Sequence, residues 1–131
     1  MAANPVFAAT PKAWGVTTPA SADTSLTAPS TTATLLTAGA SGSKVEQIRL
    51  TPVATTASVY IVNLFLHDGA TYHLFDFFTA PAQTLSTTAE TVPVDKYYPN
   101  LVLPSGWSIR VTVTVGTVAS AFKLTGFGGD F

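Results

Sequence analysis

The chain has no cysteine, one methionine and two histidines. Without cysteine there is neither a disulfide framework nor thiolate-ligated zinc, although such a chain works in either redox compartment. Charge is scarce as well: Asp, Glu, Lys and Arg make up 10% of the residues, against roughly 25% in a typical soluble domain. Six basic residues balance seven acidic ones, so nothing draws the chain at long range to nucleic acid, an anionic membrane or an acidic substrate. Long apolar runs are missing too. No stretch approaches the roughly 20 apolar residues of a membrane span, and Met1-Ala2-Ala3-Asn4-Pro5 lacks the basic start and apolar run of a signal peptide. The expectation is a product made in a cytoplasm and soluble until assembled. No segment of ten or more residues carries a helical stripe.

What is present is β-branched, aromatic and small. At 131 residues the chain is long enough for one domain with a core that needs no metal or disulfide staple. An apolar fraction of 47% beside so little charge leaves weak electrostatic protection against association, which points to a surface covered by partners.

The last third is the most legible. Trp107, Ile109, Val111, Val113 and Val115 alternate with Ser108, Arg110, Thr112 and Thr114, the period of a strand with one buried face. Pro104-Ser105-Gly106 punctuates its start, and Gly116-Thr117 reads as a tight hairpin into a returning strand that buries Val118, Phe122 and Leu124. Earlier strands fall at 31–37, 44–53, 57–66 and 71–79, with Tyr97 to Leu103 returning to the sheet and a short edge strand at Thr91 to Val94. In 57–66 both faces are apolar, so that strand is central or has its outer face covered. Asp68-Gly69 predicts a two-residue turn between the third pair. Seven or eight strands at this spacing predict an all-β fold, an antiparallel jelly-roll-like sandwich. Residues 1–30, with Pro5, Pro11, Pro19 and Pro29, read as an extended N-terminal arm ahead of a sandwich domain at 31–131. Phe7, Lys12 and Trp14 are its anchors, placed on a neighbouring subunit or over the chain's own core.

Chemistry has thin support. His67, Asp68, His73 and Asp76 are the tempting constellation. A two-residue turn pairs His67 with Ala70 and His73 with Leu64, which puts the imidazoles on opposite faces and argues against a metal or acid/base site. Glu90 and Asp95 are isolated carboxylates. Gly126-Phe127-Gly128-Gly129 does not open a helix and so cradles no phosphate. Lys12, Lys44, Arg49 and Lys96 are too scattered for a nucleic-acid stripe. Trp14, Trp107, Tyr97 and Tyr98 suit a sugar-binding face less well than core or interface packing. No catalytic residue, cofactor or metal is expected.

Asn4-Pro5-Val6-Phe7 with Thr10-Pro11-Lys12-Ala13-Trp14-Gly15, the stretch from Thr37 through Gly39-Ala40-Ser41-Gly42-Ser43 to Ile48, Leu103-Pro104-Ser105-Gly106-Trp107, and Gly128-Gly129-Asp130-Phe131 resemble a family of small proteins from tailed-phage and prophage structural gene blocks. The resemblance implies a virion structural protein of the capsid decoration, or cement, type on the capsid surface. Its partners would be the major capsid protein and further copies of itself, a trimer suiting local three-fold positions, with neither nucleic acid nor membrane contacted directly. Phe7, Lys12, Trp14, Tyr97 and Tyr98 are the expected interface residues. A tail, neck or fibre-base component and a carbohydrate-binding surface module are the alternatives.

Overall fold

A computed structural model describes residues 9–56, 58–86, 88, 93–114 and 121–131. Among them there is no helix. Eight strands run β1 Thr10–Thr17, β2 Ala33–Thr37, β3 Ser43–Pro52, β4 Tyr60–His67, β5 Tyr72–Ala80, β6 Val94–Leu103, β7 Ser108–Val113 and β8 Phe122–Asp130. They form two four-stranded antiparallel sheets, ordered β1-β8-β3-β6 and β2-β7-β4-β5, a β-sandwich. The pairings β1–β8, β2–β7, β3–β6 and β4–β5 are those of a chain folded back on itself about the β4–β5 hairpin.

Alternation places the core between the sheets. Val45, Ile48, Leu50, Phe122 and Leu124 of the first sheet meet Val62, Leu64, Phe78, Ile109 and Val111 of the second, all fully buried. Tyr60 and Phe122 meet edge to face, with ring centroids 5.3 Å apart at 67°. This is the geometry that aligns a ring's positive edge with its neighbour's negative face.

Several expectations change in three dimensions. β7 and β8 belong to different sheets and do not pair as a hairpin. The Gly116-Thr117 turn, and Val115 and Val118 beside it, lie outside the described residues. Thr112 and Ser108, read as the wet side of β7, are buried. At the Val113 end of β7 lies the connector between β1 and β2. Asp23 donates its backbone N–H to the Val113 carbonyl at 2.8 Å, and its carboxylate accepts from the backbone N–H groups of Ser25, Ser30 and Thr31 at 3.0, 2.7 and 2.8 Å. That carboxylate is held below its ordinary pKa, first by the Thr31 N–H and then by Ser25 and Ser30. The fixed loop brings Thr24 and Leu26 over Ile61 and Asn63, covering part of the second sheet's outer face. β4 is thus both central and partly covered, which accounts for its two apolar faces. Within the stretch read as an N-terminal arm, residues 10–17 add a strand to the chain's own sheet by pairing with β8.

The open side of the sandwich, between edge strands β5 and β6, is closed by a polar clasp. Lys96 Nζ donates to Asp76 Oδ1 at 2.8 Å and to the Phe77 carbonyl at 2.7 Å, and the Tyr98 hydroxyl donates to Asp76 Oδ2 at 2.7 Å. Burial works to raise the Asp76 pKa, but the hydrogen bonds from Lys96 and Tyr98 outweigh it and the group stays below its ordinary value. Burial, then the bond to Asp76, pushes the Tyr98 phenol well above its own. Lys96 also lies over the Phe77 and Phe78 rings, 5.7 and 5.2 Å from their centroids. Of the expected edge strand at Thr91 to Val94, Thr91 and Val92 lie outside the described residues and Val94 begins β6.

Candidate functional site

The residues named from the sequence do not gather in one place. Phe7 lies outside the described residues. Trp14 pairs across from Gly126 and is half-buried on the inward face, its ring against the space that glycine leaves beside Leu35. Tyr98 turns inward to Asp76. Both rings therefore serve the fold, because their positions alternate into the sandwich. Lys12 stays near the surface, 3.7 Å from Asp130. Of the four that are described, Tyr97 alone presents an outward aromatic ring, at 72% exposure.

Tyr97 belongs to a transverse row on the outer face of the first sheet. Register sets Ala13 beside Phe127, Phe127 beside Gln47 and Gln47 beside Tyr97. The next row toward the chain ends carries Val102 beside Lys44, and Val102 and Phe127 are exposed too. On the other side of Tyr97, Arg49 grips Asp95 through two bonds of 2.6 and 3.1 Å, while Gln47 donates to the same carboxylate at 3.1 Å. The Arg49 bond is the main cause of the lowered Asp95 pKa. Tyr97, Tyr98, Pro99, Lys44 and Glu46 outline a recess of about 340 Å³. The result is a surface with exposed apolar groups and a hydrogen-bonded polar patch beside them. It is suited to contact with another protein and offers no oriented nucleophile or base.

The histidine constellation is set by a turn other than the one read from the sequence. His67 pairs with Tyr72 and His73 with Leu66, so the loop holds four residues, not two. The backbone supplies the reason. Asp68 Oδ1 accepts from the N–H groups of Ala70 and Thr71 at 2.9 and 2.8 Å, an Asx turn, while Gly69 takes φ 100°. Asp68 Oδ2 also lies 3.1 Å from His73 Nε2, and His73 stacks on Trp107. Asp76 is committed to the clasp. Among the described residues no three His, Cys, Asp or Glu side chains come together as a metal site; Glu90 lies outside them. The N–H groups of Thr71 and Ala70, then His73, hold the Asp68 carboxyl at about 2 against an ordinary 3.8. A depressed folded-state pKa stabilises above the unfolded value and is lost as pH falls through the folded one. An NMR titration should therefore find the Asp68 midpoint near 2, with the hairpin weakening only as pH falls from about 4 toward 2; a midpoint near 3.8 would contradict this turn.

Two arrangements gave no sequence signal. One is the clasp, whose members are about 20 residues apart and in different sheets. The other is a groove on the second sheet, where Ile61, Leu74, Phe77 and Leu26 surround Asn63 in a space of about 320 Å³.

The stretches around Gly39–Ser43, Trp107 and Asp130–Phe131, by contrast, converge at one end of the sandwich. Ser43 Oγ donates to Asp130 Oδ1 at 2.5 Å and accepts from the Gly39 N–H at 2.9 Å. Phe131 donates its N–H to the Gly42 carbonyl at 3.1 Å, and Ala38 donates to the Trp107 carbonyl at 2.8 Å. A side chain at Gly39 would collide with the Asp130 carboxylate, 2.9 Å away. These short motifs are packing solutions to a single problem, that of closing this end. No family model, curated protein or solved structure matches the chain.

Proposed function

We propose that this protein is a tailed-phage virion component that decorates and stabilises the capsid by bridging neighbouring major capsid protein subunits. The observation that carries the reading is the outer face of the first sheet, where Tyr97, Val102 and Phe127 stand exposed. The resemblance of the motif stretches to small virion proteins supplies the partner. Two facing four-stranded antiparallel sheets, ordered 1-8-3-6 and 2-7-4-5, support the jelly-roll-like form of this reading. Attachment would set this face, with the residues ahead of β1, across a joint of the shell. About 1,000 Å² of well-packed contact makes such a site specific, and repetition over the lattice multiplies its effect against internal pressure. The protein acts here by burial, not by chemistry.

The carbohydrate-binding reading has less to stand on, since Trp14 and Tyr98 turn inward and Trp107 stacks on His73. The test uses particles lacking the protein, to which purified chain is added back. Tyr97→Ser should weaken attachment by about 10-fold or more, the loss of one central aromatic anchor, with an unchanged melting temperature. Deleting residues 1–8 should also weaken it, and the cut spares β1. Full attachment by both variants would contradict this contact surface.

A further inference from the structure

The two sheets end on β1, β6, β2 and β5, and an edge strand offers its unpaired main-chain groups to any strand that can reach them. Three of these edges are obstructed. On β5 the Phe77 N–H donates to Asp76 Oδ1 at 2.8 Å and the Phe77 carbonyl accepts from Lys96 at 2.7 Å. β6 contains Pro99, which has no N–H to offer. β2 is five residues long and irregular between Thr34 and Leu36. β1 differs from all three. Thr18 donates its N–H to the Phe122 carbonyl, continuing the register that pairs Thr17 with Lys123, so even-numbered residues of β1 turn their N–H and C=O toward β8 and odd-numbered ones away from it. Ala13, Gly15 and Thr17 therefore present their main-chain groups on the open side. No described residue bonds to them there.

We propose that β1 of a second copy of the chain adds to this edge, antiparallel and two-fold related about Gly15, joining the first sheets of the two molecules. The sequence around Gly15 selects that occupant. Outward from Gly15 the chain reads apolar, small, polar, proline in both directions: Trp14, Ala13, Lys12 and Pro11 on one side, Val16, Thr17, Thr18 and Pro19 on the other. An isologous contact requires such self-complementarity. Pairing centred on Gly15 sets Ala13 against Thr17 of the second copy and Gly15 against Gly15, each pair exchanging both of its main-chain bonds. Pro11 then falls opposite Pro19 of the second copy, just past the ladder, where neither needs a donor.

Side chains favour the same register. On the inner face Trp14 comes opposite Val16 of the second copy. Both are only partly buried in the single chain, and an aromatic ring across from a β-branched residue is a stabilising pair. No charged side chain lies between Ala13 and Thr17, so none meets its like beside the axis. On the outer face a Cβ at Gly15 would meet only the Leu124 carbonyl oxygen, 3.9 Å away, which leaves the axis clear. The pairing does not use Tyr97, Val102 or Phe127 and does not depend on the capsid reading.

The test is sedimentation equilibrium of the purified full chain over a dilution series. The wild type should approach twice its 13.6 kDa mass as concentration rises. Gly15→Lys and Gly15→Glu each set like charges directly opposite one another and should weaken the dimer by about 10-fold or more, while an equimolar mixture of the two restores it. The chain has no cysteine, so a single introduced thiol reports the register. Gly15→Cys should link into a disulfide dimer on mild oxidation, the two Cα atoms lying about 5.5 Å apart; Ser105→Cys, exposed between β6 and β7, should not. A wild type monomeric at every concentration, a trimer, a dimer indifferent to both charges, or a mixture no tighter than its components would overturn the proposal. So would Ser105→Cys linking as readily as Gly15→Cys.

Discussion

Gly128→Ala is expected to destabilise the fold by about 4 kcal/mol or more, enough to leave a domain of this size largely unfolded. The position pairs with Val45, beside the irregularity between Val45 and Gln47 where β3 carries an extra residue. The bulge draws the β3 backbone toward β8. A methyl group at Gly128 would sit on the Lys44 carbonyl oxygen, 2.9 Å from the carbonyl carbon and 3.1 Å from the Val45 Cα. All three atoms are main chain, so no rotamer change relieves the collision. The central β3–β8 ladder would have to part, and a shifted register exchanges its buried and exposed faces. Urea denaturation of the purified variant measures the effect; a loss below about 1 kcal/mol would show that the two strands are not this close.

Phe122→Ala should cost about 3–5 kcal/mol, the range for deleting a fully buried aromatic ring. Phe122 is completely enclosed and meets Tyr60 edge to face. Its backbone also anchors the end of β1, since Thr18 donates both its N–H and its hydroxyl to the Phe122 carbonyl at 2.9 and 3.2 Å. Alanine keeps those bonds and empties the space between the sheets, so the loss isolates packing from β1 attachment. Phe122→Leu should recover more than half of it, because most of the cavity refills. Equal losses in the two variants would place the effect elsewhere than in the core.

How much of this was legible in advance depended on the range over which each signal acts. The alternation from Trp107 to Val113 reported a local fact, the pleat, and β7 forms there with Ile109, Val111 and Val113 inward. What alternation cannot report is the partner. β7 and β8 were read as a hairpin and lie in different sheets, because nothing in the sequence between them marks which sheet the next strand joins. The wet side of β7 was misjudged for a similar reason. Thr112 is polar by composition, yet it is buried on a strand paired on both sides, where its hydroxyl meets the Asn63 amide. Asp68-Gly69 was a true turn signal, but its length was set by the Asp68 carboxylate capturing two N–H groups beyond it. Prolines in the first 30 residues suggested an arm, yet Pro11 sits comfortably in β1, an edge strand whose outer side needs no donor.

Among the five candidate interface residues, sequence could mark aromatics but not their direction. Trp14 and Tyr97 look alike in composition; register turns one onto Gly126 and the other outward. Asp76 looked like a failed catalytic group and is the centre of the inter-sheet clasp. The clasp's role required knowing that β5 and β6 are stacked edges, which is tertiary information throughout.

The central claim is decoration of the shell, and the most direct measurement is the copy number of this chain against the major capsid protein in purified particles, by quantitative mass spectrometry of intact virions. A ratio near one, or a simple fraction of it, is the predicted result. A ratio of a few per cent would assign the protein to the neck or tail, and its absence from the particles would contradict the structural role outright.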